Sequence, residues 1–298
     1  MPIPIDEDVE VMYWERLLHS KFQGAIVGSA VGSALGVPFK GVDFKDLELE
    51  PWPLEMIPDR YSSDIEAMIR VAESLIEHHK GPADERGVHG FLDDLNPFNA
   101  YDIGPLSSSS AVGITPVGLF YYDDFVSLRE AFNGTGLTTH VQELTVEGVI
   151  IQAYAVASSI KRIPWGCIDP VDLIEELEAL TMHFHYRKKF KAIRWFLKSP
   201  PDKKRVIKIL GNSLEASRST PAAIYCALSR IGSFEAAVSY AVSLGGDTDT
   251  ISALAGAISG ALHCLEDVPY RWWTRLYNVE YLMDLADKLF KGKLNYRL

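Results

Sequence analysis

Three cysteines in 298 residues, Cys167, Cys226 and Cys264, are too few and too widely spaced for a disulfide framework. No CxxC pair offers a zinc site, and the scarcity points to a reducing, cytoplasmic setting. Basic charge is short as well: 29 Lys and Arg stand against 40 Asp and Glu, for a formal net charge of -11. Nucleic acid and anionic membrane are polyanions, so neither is an expected partner. GxSxG, a Walker A loop and the Rossmann glycine pattern are all missing. Nucleophile-elbow hydrolases, NTPases and dinucleotide dehydrogenases are disfavoured accordingly. The opening residues, MPIPIDEDVEVMYW, lack the basic start of a signal peptide. The uncharged runs Phe22–Phe39 and Thr250–Leu265 are 18 and 16 residues long. Both fall short of the roughly 20 apolar residues of a membrane span, and both are expected as buried core helices. Strand-like alternation is confined to ITPVGLFYY at 114–122, whose proline and glycine favour a turn or a helix.

What is present is the mixture of a globule with a sizeable core, 47% hydrophobic and 23% charged. The helical period dominates. Helices are expected over Tyr13–Leu35, Asp64–His79, Val146–Ser159, Val171–His183, Lys188–Leu197, Pro221–Ile231, Ser233–Leu244 and Tyr270–Phe290, with another after Asp249. Gly24, Gly28, Gly32 and Gly36 recur every fourth residue, as do Ser252, Gly256, Gly260 and Cys264. Such a stripe leaves one helix face without side chains, so that another backbone can approach closely. Each glycine costs about 1 kcal/mol of helix propensity, which a close helix–helix contact has to offset. No composition shift marks a boundary, so one all-α domain spanning 1–298 is expected, with glycine-rich helices packed at its centre.

Two short stretches carry candidate chemistry. LGGDTDT, at 244–250, places Asp247, Thr248, Asp249 and Thr250 ahead of an apolar helix, after a Gly245–Gly246 turn. Carboxylates there cap a helix and favour its positive end; they also form a hard-oxygen set of the kind a divalent cation takes. YSSDIEAM, at 61–68, reads either as a capping box, Ser63-Asp64-Ile65-Glu66, or as the partner carboxylate for that set.

These blocks, with GAIVGSAVGSALGVPF, ITPVGLFYYDD, TTHVQELTVEGVIIQAYAVA and STPAAIYCAL, are similar to the ADP-ribosylglycohydrolase family in the family's own order. The resemblance implies an all-α fold with a magnesium or manganese centre, usually of two ions. It implies hydrolysis at the anomeric ribose carbon of ADP-ribose joined to a protein side chain or a small acceptor. Carried over by residue, the metal ligands are Ser62, Asp64, Asp247, Asp249 and Thr250, with Asp64 or Asp249 orienting the attacking water. Substrate contacts fall on Ser108, Ser109, Ser110, His140, Gly245 and Gly246.

Several positions depart from the family pattern. Ser33 and Lys40 replace two acids of the early segment, and Ser63 and Ile65 replace a carboxylate and a hydroxyl of the second motif. Asp43, Glu48 or Glu50 would have to stand in for the family's flap acid. Two divalent ions bring +4 against -3 from Asp64, Asp247 and Asp249, so one ion is expected rather than two. None is required if the Lys40 ammonium turns inward and takes its place. Two readings therefore stay open: a hydrolase acting on an ADP-ribose-like small molecule or an ADP-ribosylated protein, and a binding or structural member of the family. Elsewhere His183 and His185, with the basic run after them, read as a solvated face. Ser107–Ser110 reads as a loop or a phosphate cradle, His140 as structural or a ribose contact, and Trp272–Trp273 as core.

Overall fold

The computed structural model describes residues 7–47, 59–78, 108–130, 140–163 and 168–296. They form α1 (Glu7–Gly36), α2 (Ser63–His78), α3 (Ser108–Gly113), α4 (Thr115–Phe120), α5 (Phe125–Glu130) and α6 (His140–Ile160). The chain continues through α7 (Pro170–Leu180), α8 (Phe184–Lys198), α9 (Lys203–Ile209), α10 (Ala216–Ser229) and α11 (Phe234–Ser243). It closes with α12 (Thr248–His263), α13 (Tyr270–Trp273) and α14 (Val279–Tyr296). No strand occurs among the described residues, and the 114–122 segment holds α4. One contiguous hydrophobic core runs from Phe22 to Phe290.

At its centre α1 lies along α12, and every residue of α12 is buried. The contact follows the glycine stripes. A Cβ on Gly24 would sit 2.6 Å from the carbonyl oxygen of Gly260, and one on Gly260 would sit 1.9 Å from that of Gly24. Gly28 and Gly256 repeat the relation at 2.7 and 2.1 Å, and Gly32 faces the Ser252 carbonyl at 2.0 Å. Each glycine thus lets a carbonyl of the opposite helix approach to where a side chain would otherwise stand. Ser252 adds a hydrogen bond, its Oγ donating to Gly32 O at 2.6 Å. Over Met12–Phe39 the chain is apolar and long enough to cross a membrane, yet 78% of its most apolar window is buried within the protein. Its apolar surface is used by α12 and by α14.

Three departures from the expected reading have local causes. The segment expected as Val171–His183 stops at Leu180. The amides of Met182 and His183 turn to the buried Glu147, whose Oε1 accepts from them at 2.6 and 3.4 Å. His183 then caps α8 through Nδ1, accepting from the His185 amide at 3.1 Å. The basic run on α8 is not wholly solvated, because Lys189 is buried. Finally, α10 begins before Pro221 instead of at it. A proline inside a helix leaves the carbonyl four residues back without its amide donor. That carbonyl is Ser217 O, and Lys189 Nζ donates to it at 2.5 Å and to Leu210 O at 2.7 Å.

Lys21 plays the same part elsewhere, donating to Ala261 O at 2.7 Å and Leu262 O at 3.3 Å near the end of α12. Burial lowers both ammonium groups from 10.5 to about 8. Below pH 8 both states of the protein hold these protons and stability is indifferent to them. Between about 8 and 10.5 the unfolded chain binds more protons than the folded one, so stability rises with pH. Burial raises the Cys226 and Cys264 thiols from 9.0, and they oppose this rise above about pH 8.5. Scanning calorimetry at pH 7.5, 8.5 and 9.5 should therefore be read as a difference. The melting temperatures of Lys21→Met and Lys189→Met should fall relative to the wild type as pH rises, and a difference that does not change with pH would contradict the assignment.

Candidate functional site

The site begins at the turn before α12. Gly245 and Gly246 have φ of 66° and 74°, left-handed values that glycine adopts at little cost. They also have no room for a side chain: a Cβ on Gly245 would meet Val42 O at 2.6 Å, and one on Gly246 would meet Asn212 O at 2.1 Å. Asn212 braces the turn twice, accepting from the Asp247 amide at 2.9 Å and donating from Nδ2 to Leu244 O at 3.0 Å. Nothing in GNSLE marks Asn212 for this task. It is legible only once the turn is folded against it.

Asp247 stands at the N-cap of α12, but its side chain accepts no capping bond. It faces Lys40 instead. The Lys40 ammonium lies 2.8 Å from Asp249 Oδ2 and 3.6 Å from Asp247 Oδ1. Lys40 is 49% exposed, whereas each carboxylate side chain is 1% exposed, so the lysine closes the outer side of a buried pair. Burial alone would lower its pKa. The hydrogen bond to Asp249 and the charges of Asp249, Asp247 and Asp64 outweigh burial and hold it above the ordinary lysine value.

The third carboxylate, Asp64, comes from the first turn of α2 and is 5% exposed. Thr250 Oγ1 donates to its Oδ2 at 2.8 Å, which ties α2 to α12. The cap of α2 falls one residue earlier than the capping box places it. Ser62 Oγ accepts from the Asp64 amide at 3.4 Å, and Ser33 Oγ lies 2.9 Å from Ser62 Oγ while accepting from the Ser62 amide at 3.0 Å. Ile65 is fully buried in the core. Thr248, the remaining hydroxyl of DTDT, donates to Gly36 O at 2.8 Å, toward α1 and away from the acids.

Ser62, Asp64, Asp247, Asp249 and Thr250 are therefore gathered at the joined ends of α1, α2 and α12, although Ser62 and Thr250 are engaged with protein partners. Ser109 and Ser110 are half-buried on α3, which packs on α2 and α12. Ser108 and His140 begin α3 and α6. Of the proposed stand-ins for the flap acid, Asp43 is exposed and its Oδ1 caps a short turn through the Lys45 amide at 3.0 Å. Glu48, Glu50, Ser107 and Cys167 lie outside the described residues. Trp272 is buried in the core, as expected, and Trp273 packs against it half-buried.

Among the described residues no group of three or more His, Cys, Asp or Glu side chains is arranged to hold a metal ion. Asp64 turns to a threonine and the other two acids turn to an ammonium. As it stands, this donor set holds a side-chain ammonium and does not fit a divalent ion. Asp249 Oδ1 is buried and has no hydrogen-bond donor.

The wider chain agrees with relatives of known description. ADP-ribosylhydrolase ARH3 from Danio rerio is 27% identical, covering 92% of this chain and 91% of that protein. The Homo sapiens ADP-ribosylhydrolase ARH3 is also 27% identical, over 91% and 93%. A solved structure described as an ADP-ribosylglycohydrolase-related protein complex shares the fold, with a TM-score of 0.67 at 21% identity over 93% of this chain and 99% of that one. The ADP-ribosylglycohydrolase family model matches residues 15–297, and the chain belongs to that family.

Proposed function

We propose that this protein hydrolyses the bond at the anomeric ribose carbon of an ADP-ribosyl or related ribosyl substrate. The observation that carries this reading is Asp249: a buried carboxylate with one oxygen fixed by Lys40 and the other, Oδ1, without a donor. Such an oxygen is an acceptor for the attacking water. A proton of that water passes to the carboxylate as the water oxygen bonds to the anomeric carbon, the bond to the acceptor breaks, and the departing atom takes a proton from solvent. The transition state has oxocarbenium character, so buried negative charge nearby stabilises it. Asp64, oriented by Thr250, supplies a second carboxylate. Lys40 fixes Asp249 and keeps N–H donors for ligand oxygens. Ser108, Ser109, Ser110 and His140, at the starts of α3 and α6, are assigned to the remainder of the ligand, with the backbone of Gly245 and Gly246.

A second reading, ligand binding without turnover, is favoured by one observation: the ammonium already neutralises part of the charge that a catalytic base would use. Release of free ADP-ribose from arginine-, serine- and small-molecule-linked conjugates distinguishes the two. Turnover above an Asp247→Ala control is expected. Saturable ADP-ribose binding with no release would establish the second reading and dismiss the first.

A further inference from the structure

We propose that Lys40 is the resident cation of this site: its ammonium occupies the place between Asp247 and Asp249 that a divalent ion would otherwise take. The inference rests on geometry and holds whether or not the site turns over a substrate.

Lys40 is held in position by its backbone. Gly41 donates to Gly246 O at 2.7 Å and Gly246 donates back to Val42 O at 3.0 Å. These reciprocal bonds fasten the segment carrying the lysine to the turn carrying the aspartates. Gly245 packs against the same segment, with no space for a Cβ between it and Val42 or Phe44. The ammonium therefore arrives with its partners, from residues adjoining the same two hydrogen bonds.

Charge supports the assignment. Asp64, Asp247 and Asp249 bring -3, and Lys40 brings +1. The N-termini of α2 and α12, where these acids sit, each contribute about half a positive charge. The remainder is near -1, far from the +4 of two divalent ions. An additional ion within reach of Asp249 would stand a few ångströms from the ammonium, where like charges repel strongly. Hydroxyl ligands are also committed: Ser62 to Ser33 and the α2 amide, Thr250 to Asp64, and Thr248 to Gly36.

The test uses the full chain, with MnCl2 and MgCl2 as probes, thermal melts as one readout and electron paramagnetic resonance of bound Mn²⁺ as the other. The wild-type protein should show a melting temperature unchanged within about 1 °C and no saturable Mn²⁺ signal. Lys40→Glu removes the ammonium and adds a carboxylate. It should acquire a saturable site, with a rise of roughly 5 °C at a hundredfold excess over Kd. Lys40→Ala, which adds no charge, should bind the same ion more weakly and serves if the glutamate variant does not fold. Saturable Mn²⁺ binding by the wild-type chain would overturn the proposal, as would Lys40 variants that fold and remain inert to both metals. Neither readout depends on hydrolysis, so a failure here is distinct from a failure of the proposed activity.

Discussion

Gly260→Ala should lower the melting temperature by roughly 5 °C or more, or prevent folding, through the addition of one methyl group. The added carbon would lie 1.9 Å from Gly24 O and 2.4 Å from Gly24 C. Both obstacles are backbone atoms of a buried helix, so no side chain can swing aside. Relief requires α1 and α12 to move apart by more than an ångström. That movement also opens the Gly28–Gly256 and Gly32–Ser252 contacts, which lie along the same seam. Overpacking of a dense core costs about 1–3 kcal/mol, and a rigid seam of this length belongs at or above the top of that range. Gly292→Ala is the matched control. Its Cβ would meet only Phe120 Cε2, at an ordinary 3.7 Å, and alanine improves helix propensity there by about 1 kcal/mol. Equal melting temperatures for the two variants would show that the seam yields more readily than its geometry implies.

The second large effect is on turnover. Asp249→Asn keeps the shape of the side chain and removes its charge and basicity. With Asp249 as the acceptor for the attacking water, kcat/KM should fall by about a thousandfold, the usual range for loss of a positioned base. The fold should persist, since an amide oxygen still accepts from Lys40 and one buried charge is gone. Asp202→Asn, at the exposed cap of α9, is the neutral comparison. An Asp249→Asn enzyme that retains wild-type turnover and a wild-type melting temperature would remove Asp249 from the reaction and leave Asp64 as the base to test.

The seam between α1 and α12 was legible before folding because a four-residue glycine spacing has few other uses. The convergence of Asp64 with Asp247 and Asp249 was legible through the family resemblance alone; nothing in YSSDIEAM points to a residue 186 positions away. Other features are set by tertiary neighbours. A proline marks the start of α10 only when no distant group can serve the orphaned Ser217 carbonyl, and Lys189 does so here. The break between α7 and α8 depends on Glu147, a side chain from another helix. Threonine hydroxyls in DTDT look equivalent along the chain, yet the helix turns Thr248 toward Gly36 and Thr250 toward Asp64. Lys40 was legible as an alternative because it stands where the family has an acid. Its inward direction needed the two hydrogen bonds between Gly41, Val42 and Gly246.

The α1–α12 seam also sets a schedule for the newborn chain. The bond from Thr248 to the Gly36 carbonyl spans 212 residues, and that from Ser252 to Gly32 spans 220. At a ribosomal pace of about 5–20 residues per second, the first helix emerges roughly 10–45 s before its partner has been synthesised. Through that interval its apolar face has no permanent cover, which makes a shielding chaperone most useful at the beginning of translation. A chain ending before residue 248 would lack the surface α1 was shaped to meet, and it should be cleared by proteolysis before it accumulates.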